Sequence, residues 1–422
     1  MPDIGIVGAG IAGLHLGLML RQHDVPVTLY TDRVPGSLAA GRLPATVAHH
    51  APTLERERRL GVGFWPAEEY GYTCHHHHVG GPRPLVSRGD FPRPSCAVDH
   101  RLYLPALAEA FQERGGRLRV TPVAAGDLDA LAGRHDLLVV ATGRGGLADL
   151  FPPRDGGASP RRPLRRLCAG LYHGVAPSEP KGVTLSIAPG RGELIEIPLF
   201  SRDGHVTALL FESVPGGGAD HLADLDHEED PGAFRRAVLA ELTAHHPTVS
   251  ERIDPGRFRL TGPLDLVRTA IVPTVRADHA RLPSGRLALA LGDAHAVVDP
   301  IVGQGANTAS PAAEAVAATI VEDLAFDELF ARRVARRREE VVLGAARWSD
   351  LMLRPPPEHL RSLLGAMSRH RPLADAFTDN FGHPDRQWQA LATPERTRAF
   401  LARHGAADAP AARPDGTWGP TP

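Results

Sequence analysis

An α/β fold is predicted, with a Rossmann-like domain assembled from discontinuous segments, a β-sheet domain and C-terminal helices. Three features predict it. A glycine-rich βαβ unit opens the chain. Near residue 300, a strand passes through a Pro- and Gly-rich loop into a helix. Between them runs GVTLSIAPGRGELIEIPLFSRDGHVTALLFESV, whose alternation of apolar and polar residues has the period of half-buried strands.

The first unit reads DIGIVGAGIAGLHLGLMLRQHDVPVTLYTDR. An apolar strand, Ile4–Val7, enters Gly8-Ala9-Gly10-Ile11-Ala12-Gly13. A helix with Leu14, Leu16, Leu18 and Leu20 follows, then a second strand, Val25–Tyr30. Gly8 permits the tight turn, Gly10 lets backbone approach a pyrophosphate, and Gly13 allows close helix–strand packing. The free N–H groups of the helix start, over Ile11 and Ala12, favour phosphate. Strand, turn, helix and strand in register point to dinucleotide binding rather than a bland turn. The acidic residue expected after the second strand falls on Thr31, with Asp32 next, so either side chain is a candidate for the ribose hydroxyls.

The segment RLALALGDAHAVVDPIVGQGANTASPAAEAVAATIVEDL selects FAD. Its strand, Leu287–Leu291, ends in Gly292-Asp293, where a carboxylate can accept hydrogen bonds from a ribitol chain. Asp299-Pro300 then leads through Gly303-Gln304-Gly305-Ala306-Asn307 into a helix. That helix start can face a flavin edge and stabilise negative charge on the reduced ring by roughly 0.3–1 kcal/mol. A third strand, Leu137–Ala141, ends in Thr142-Gly143, as in a nucleotide-binding sheet.

Composition excludes other classes. The 47 basic and 49 acidic residues nearly cancel, so no global charge points to nucleic acid or an anionic membrane. Three cysteines with no CxxC pair argue for a reducing compartment, and Cys74, Cys96 and Cys168 read as small apolar residues. No secretory leader and no long apolar run is evident, so a cytoplasmic protein is expected. With 422 residues, two or three domains are expected, without internal repeats. FAD-binding segments are assigned to 1–48, 95–167 and 268–325, a substrate-binding domain to 49–94 and 168–267, and a helical region to 326–400. Residues 401–422, rich in Pro, Ala and Gly, are expected to be a disordered tail.

Together the three nucleotide segments resemble the para-hydroxybenzoate-hydroxylase-like FAD fold. More specific strings, VAHHAPT, AVDHRLYLP, GELIEIP, HHPTVSERIDP, VDPIVGQGANTAS and FTDNFGHPDRQW, resemble the oxygenase component of two-component styrene and indole monooxygenases, from about residue 3 to 400. The resemblance implies FAD delivered reduced by a separate NADH-dependent flavin reductase, O2 as co-substrate, a flavin C4a-hydroperoxide, and epoxidation of an aryl alkene such as styrene, or of indole. Single-component relatives carry an Asp-Gly pair that helps bind FAD and NAD(P)H; here the pair is Thr142-Gly143, which fits an external electron source. No metal and no acid–base residue is expected. The resemblance further places Val47, His49, Tyr72, His75 and Ser95 in a styrene-type substrate pocket, and Thr46 and Pro300 beside the flavin. Ala45 stands where styrene-type members carry Asn, which favours the alternative of a larger biosynthetic substrate; a further alternative is a non-oxygenating flavoprotein reductase or carrier on the related fold. Arg33, Arg42 and Arg101 are candidates for phosphate contacts or for surface roles. A homodimer is compatible with these features.

RRVARRREEVV, Arg332–Val342, reads as a basic helix with a solvated face; docking of the reductase or capture of FAD phosphates are its functional options. The run CHHHH, Cys74–His78, reads as one strand entering a turn. Alternation puts His75 and His77 on one face and His76 and His78 on the other, so the four cannot converge on one ion. The family counterpart makes His75 a cavity wall and His76, His77 and His78 structural.

Overall fold

The computed structural model describes residues 1–154, 162–323 and 325–407. A six-stranded sheet runs in the order His279–Arg281, Leu287–Ala290, Leu137–Val140, Ile4–Val7, Val27–Thr31, Arg117–Val120. All neighbours are parallel except the His279–Arg281 edge. Period-two alternation divides its side chains between two cores. Ile4, Ile6, Val139 and Leu289 pack under helices Ile11–Gln22 and Gly305–Glu322. Val7, Leu138, Val140, Ala288 and Ala290 face the opposite layer. The second strand starts at Val27, not at Val25, because Val25 gives its N–H to Leu20 in the helix-closing turn and Pro26 has none.

The second sheet has nine strands, in the order Arg259–Leu260, Arg166–His173, Gly204–Ser213, Gly192–Ser201, Gly182–Ala188, Tyr72–Val79, Leu85–Ala97, Ala48–His49, with Leu266–Ala270 also paired to Arg166–His173. Its pairs are antiparallel except for Tyr72–Val79 beside Gly182–Ala188. The ladders run a little past the expected limits at 95, 168 and 267, because hydrogen bonding continues to Ala97, begins at Arg166 and ends at Ala270.

Helices Glu328–Met352, Glu358–Met367, Arg371–Asp379, Pro384–Leu391 and Pro394–Arg403 form the C-terminal layer. The last corrects the expected start of the tail. Thr393 caps it by accepting the Arg396 N–H, and Phe400 and Ala406 are buried in the helical core. Residues 408–422 lie outside the described residues. The basic helix is solvated on most of its length, with one correction: Arg338 is fully buried and bonded to Asp278 and the Ala290 carbonyl. No helix among the described residues is long and apolar enough to cross a membrane.

CHHHH is a strand, and its side chains diverge. His75 packs edge-to-face on Phe91 and Phe381, and His77 on Phe377. On the other face, His76 contacts the Pro180 carbonyl at 2.9 Å, and His78 meets Ser186 Oγ at 3.2 Å.

The close packing of the first helix on its strand is tested at Gly13, where an added Cβ would lie 2.0 Å from the Gly8 carbonyl oxygen. Both atoms belong to rigid backbone. Gly13→Ala is expected to lower the unfolding free energy by at least about 1–3 kcal/mol, the usual cost of overpacking. Thermal denaturation beside Gly10→Ala, whose Cβ meets nothing within 4 Å, checks it: only the first should melt early.

Candidate active site

A cavity of about 890 Å³ runs from the carboxyl ends of the parallel strands to the inner face of the nine-stranded sheet. Its two ends differ in chemistry.

The first end is built of glycine and backbone. Gly8 sits at φ +119°, and a Cβ there would strike the Ala141 carbonyl at 2.3 Å, so only glycine makes this turn. Cβ positions at Gly10, Gly143, Gly303 and Gly305 meet nothing within 4 Å, and all four residues line the cavity. Ile11, Ala12 and Ala306 complete the starts of two helices that open into it. Thr142 Oγ1 is buried there without a hydrogen-bond partner among the described residues. Asp293 lines this end, its carboxyl pushed up by desolvation against the pull of Arg144 and Arg276. Two open helix starts, open space over four glycines and an unsatisfied hydroxyl fit an extended diphosphate cofactor such as FAD. Thr31 hydroxyl is engaged with the main chain of Arg33, whereas Asp32 and Arg33 stand at the rim in a loose 3.6 Å ion pair.

The second end is aliphatic. Ala169, Val183, Ile195, Ile197, Leu210 and Ile271 supply its wall. Ala45, Thr46 and Val47 line the cavity, as do Pro300 and Gly303. Tyr72 and His75 line the cavity, as do His50, His100, Arg144 and Phe381, which were not among the expected site residues. His75 Nδ1 has no partner among the described residues.

Several expected site residues are placed elsewhere. His49 does not line the cavity; its neighbour His50 does. His49 Nδ1 is 2.7 Å from Glu57, which also accepts the Tyr103 hydroxyl at 2.7 Å. That hydroxyl meets His15 at 2.8 Å, and His15 meets Ser310 at 3.1 Å. Burial raises the Glu57 carboxyl, but the His49 interaction prevails and holds it below its ordinary range. Ser95 lies one layer back, 2.9 Å from His50 Nδ1, so it orients that ring. Arg101 is buried between Asp99 and Asp265, both at 2.6 Å, with no donor fork left for a phosphate. Arg42 pairs with Glu228 at the surface, at 3.0 Å. Gln304 donates inward to the Val302 and Phe381 carbonyls. Gly13 is a packing residue. The Asn307 side chain is wholly engaged with protein, bonding Ala48, His50, Thr53 and Gly303.

Among the described residues the cavity's charged side chains, Asp32, Arg33, Arg144 and Asp293, all lie at the glycine end. Desolvation keeps the histidines in and beside the cavity neutral. It lowers His50 and the adjacent His77 to about 3 and His100 to about 4, and puts His75 well below its usual range. The three cysteine thiols are buried and pushed up, Cys74 to about 11 and Cys96 and Cys168 to about 12.

Neutral buried histidines have a consequence for stability. The unfolded chain takes up protons below pH ~6.5 that the folded chain refuses, so stability falls as pH falls from there towards 4. Each such histidine contributes about 1.4 kcal/mol per pH unit. Denaturant unfolding between pH 7.5 and 5 should show this slope, and His77→Phe should reduce it by one proton's worth.

The family model described as "Styrene monooxygenase A putative substrate binding domain" matches residues 143–252. Styrene monooxygenase StyA of Pseudomonas fluorescens is 46% identical over 398 residues, covering 93% of this chain and 96% of that protein. StyA of a Pseudomonas sp. matches equally, at 46% over 398 residues. Among solved structures, a triple mutant of the flavin-dependent brominase Bmp2 superposes with a TM-score of 0.65 at 16% identity, over 96% of this chain and 100% of that one. The "probable FAD-dependent monooxygenase" PqsL of Pseudomonas aeruginosa gives 0.62 at 15%, over 95% and 99%. At such identities the solved structures speak to the fold. The curated relatives go further, and by near full-length identity the chain belongs to the styrene monooxygenase family of flavoprotein monooxygenases.

Proposed function

We propose that this protein epoxidises an aryl alkene of the styrene type, with O2 as co-substrate and FAD that arrives reduced from a separate NADH-dependent reductase. The observation that carries the reading is the single cavity joining a glycine-lined dinucleotide end to an aliphatic end without charged side chains.

Bound reduced FAD supplies the activation of O2 to an electrophilic oxygen donor. The chain's residues hold, shield and aim. The helix starts at Gly10–Ala12 and Gly305–Ala306 would take the pyrophosphate and the reduced ring, each against free N–H groups and a positive dipole end. Asp32, with its carboxylate free at the rim, is better placed for a ribose than Thr31, whose hydroxyl is spent locally. Asp293 and Thr142 would meet the polar chain of the cofactor. Ala45, Thr46, Val47 and Pro300 would flank the ring and set where the alkene meets it.

An alkene attacked by an electrophilic oxygen needs no general base, and burial leaves the cavity's histidines weak proton acceptors. The aliphatic wall gains roughly 25 cal/mol for each Å² of arene it removes from water. It also keeps water from the reacting oxygen. Thr142-Gly143 replaces the pair that serves nicotinamide binding in single-component relatives, which supports electron delivery by another protein.

Incubation with FAD, a flavin reductase, NADH and styrene should yield styrene oxide. Leaving out the reductase should abolish product, and NADH alone should not bleach bound FAD anaerobically. Reoxidation of reduced FAD at the rate of free flavin, without epoxide, would refute the oxygenase reading. Ile197→Trp, which fills the aliphatic end, should raise the KM for styrene by about tenfold or more and leave FAD affinity, measured by fluorescence quenching, unchanged.

A further inference from the structure

Beneath the loop that carries Pro300, two buried carboxyl groups, Glu212 and Asp299, and the partly buried Glu193 meet one guanidinium. Glu193 pairs in a two-pronged arrangement with Arg165, at 2.7 and 2.9 Å. Arg165 spends its remaining contacts on the Leu164 and Leu353 carbonyls. Glu212 stands directly across the ladder from Glu193 and is fully buried. No other residue's N–H or hydroxyl among the described residues reaches either of its oxygens. Asp299 Oδ2 is likewise buried without a partner among the described residues, and that carboxyl lies beside Glu212.

Asp299 belongs to the loop. Its Oδ1 accepts the Ile301 N–H at 3.2 Å and caps the turn Pro300–Val302. Its own N–H goes to Ser349 Oγ at 3.0 Å. Strand alternation puts Glu212 on the face of Leu210, and Glu193 on the face of Ile195 and Ile197. Those three aliphatic residues line the cavity. The acid pair therefore joins the cavity wall to the loop opposite it.

The ionisable groups facing Glu212 are Asp299, Glu193 and Arg165. The arginine is already committed to Glu193. Two ionised carboxylates in contact, buried and without a cation of their own, repel each other and forfeit their solvation. One shared proton removes the repulsion, leaves a single buried charge instead of two, and puts a charge-assisted hydrogen bond in its place.

We propose that Glu212 is a protonated positioning residue, whose carboxylic acid donates to Asp299 and so pins the Pro300 loop to the sheet that walls the substrate end. Burial, with Asp299 and Glu193 beside it, raises Glu212 well above the ordinary carboxyl range. The folded protein holds this proton where the unfolded chain has released it, so this residue's contribution to stability falls as pH rises through that window. Above it, ionisation removes the donor and frees the loop. The consequence for the cofactor rests on the reading of that loop as facing the flavin; the shared proton does not.

Two measurements test it, on the native protein, Glu212→Gln and Glu212→Ala. Infrared difference spectra of the protein without FAD should show the carbonyl stretch of a protonated carboxylic acid at neutral pH, absent from Glu212→Gln. Titration with oxidised FAD from pH 6 to 10 should show native affinity falling on the alkaline side. Glu212→Gln, which keeps an N–H donor that cannot ionise, should bind with the native neutral-pH affinity and no alkaline loss. Glu212→Ala should bind about tenfold more weakly at every pH, the equivalent of one buried hydrogen bond. Absence of the infrared band, or the same alkaline loss in native protein and Glu212→Gln, overturns the proposal. Should Glu212→Ala fail to fold, the Gln variant alone decides. A band present in a protein that binds no FAD leaves the shared proton standing and overturns the functional reading instead.

Discussion

The side-chain amide of Asn307 is the constraint on which the site depends. Its oxygen accepts the His50 N–H at 3.0 Å and the Thr53 hydroxyl at 2.9 Å. Its nitrogen donates to the Ala48 carbonyl at 2.8 Å and the Gly303 carbonyl at 3.0 Å. These four bonds exhaust what an amide can make. They tie the end of the 44–48 loop, the first turn of helix Ala51–Arg59 and the Gly303 turn to one helix. Ala45–Val47 and Pro300, all lining the cavity, take their separation from this clamp and, at the far edge of the loop, from the Glu212–Asp299 pair.

A second rule governs charge. Apart from the Glu212–Asp299 pair, buried ionic groups are matched by specific partners: Arg101 with Asp99 and Asp265, Arg338 with Asp278, Arg252 with Glu196, His49 with Glu57. Each satisfies the cost of burying charge by a specific partner. Polar residues that do reach the aliphatic end, such as His50 and His75, are held neutral by burial and packed among aromatic rings. The result is a chamber polar at the mouth and uncharged where an alkene would lie.

The parts of this arrangement legible in the sequence are those encoded locally. The turn at Gly8–Gly13, the strand ends at Thr142 and Asp293, and the Pro300 loop follow from spacing, because a strand–turn–helix unit fixes its own geometry within a few residues. Alternation likewise separates His75 from His76. What was not legible depends on partners far along the chain. Arg101 is spent on Asp265, and a sequence reading sees a free arginine, although Asp99 two residues earlier was a usable warning. Ala48–His49 is a strand of two residues followed by a helix, so periodicity could not say which of His49 and His50 faces inward. Glu212 looked like an ordinary polar position in an alternating strand; only the fold brings Asp299 onto it.

The central claim is that this chain itself carries oxygen transfer and needs another protein only for electrons. A single-turnover experiment addresses it directly. Chemically reduced FAD, bound anaerobically and then mixed with oxygenated buffer and styrene, contains neither reductase nor NADH. The account predicts styrene oxide in near-stoichiometric yield with the bound flavin. Release of hydrogen peroxide alone, with styrene unchanged, would contradict it.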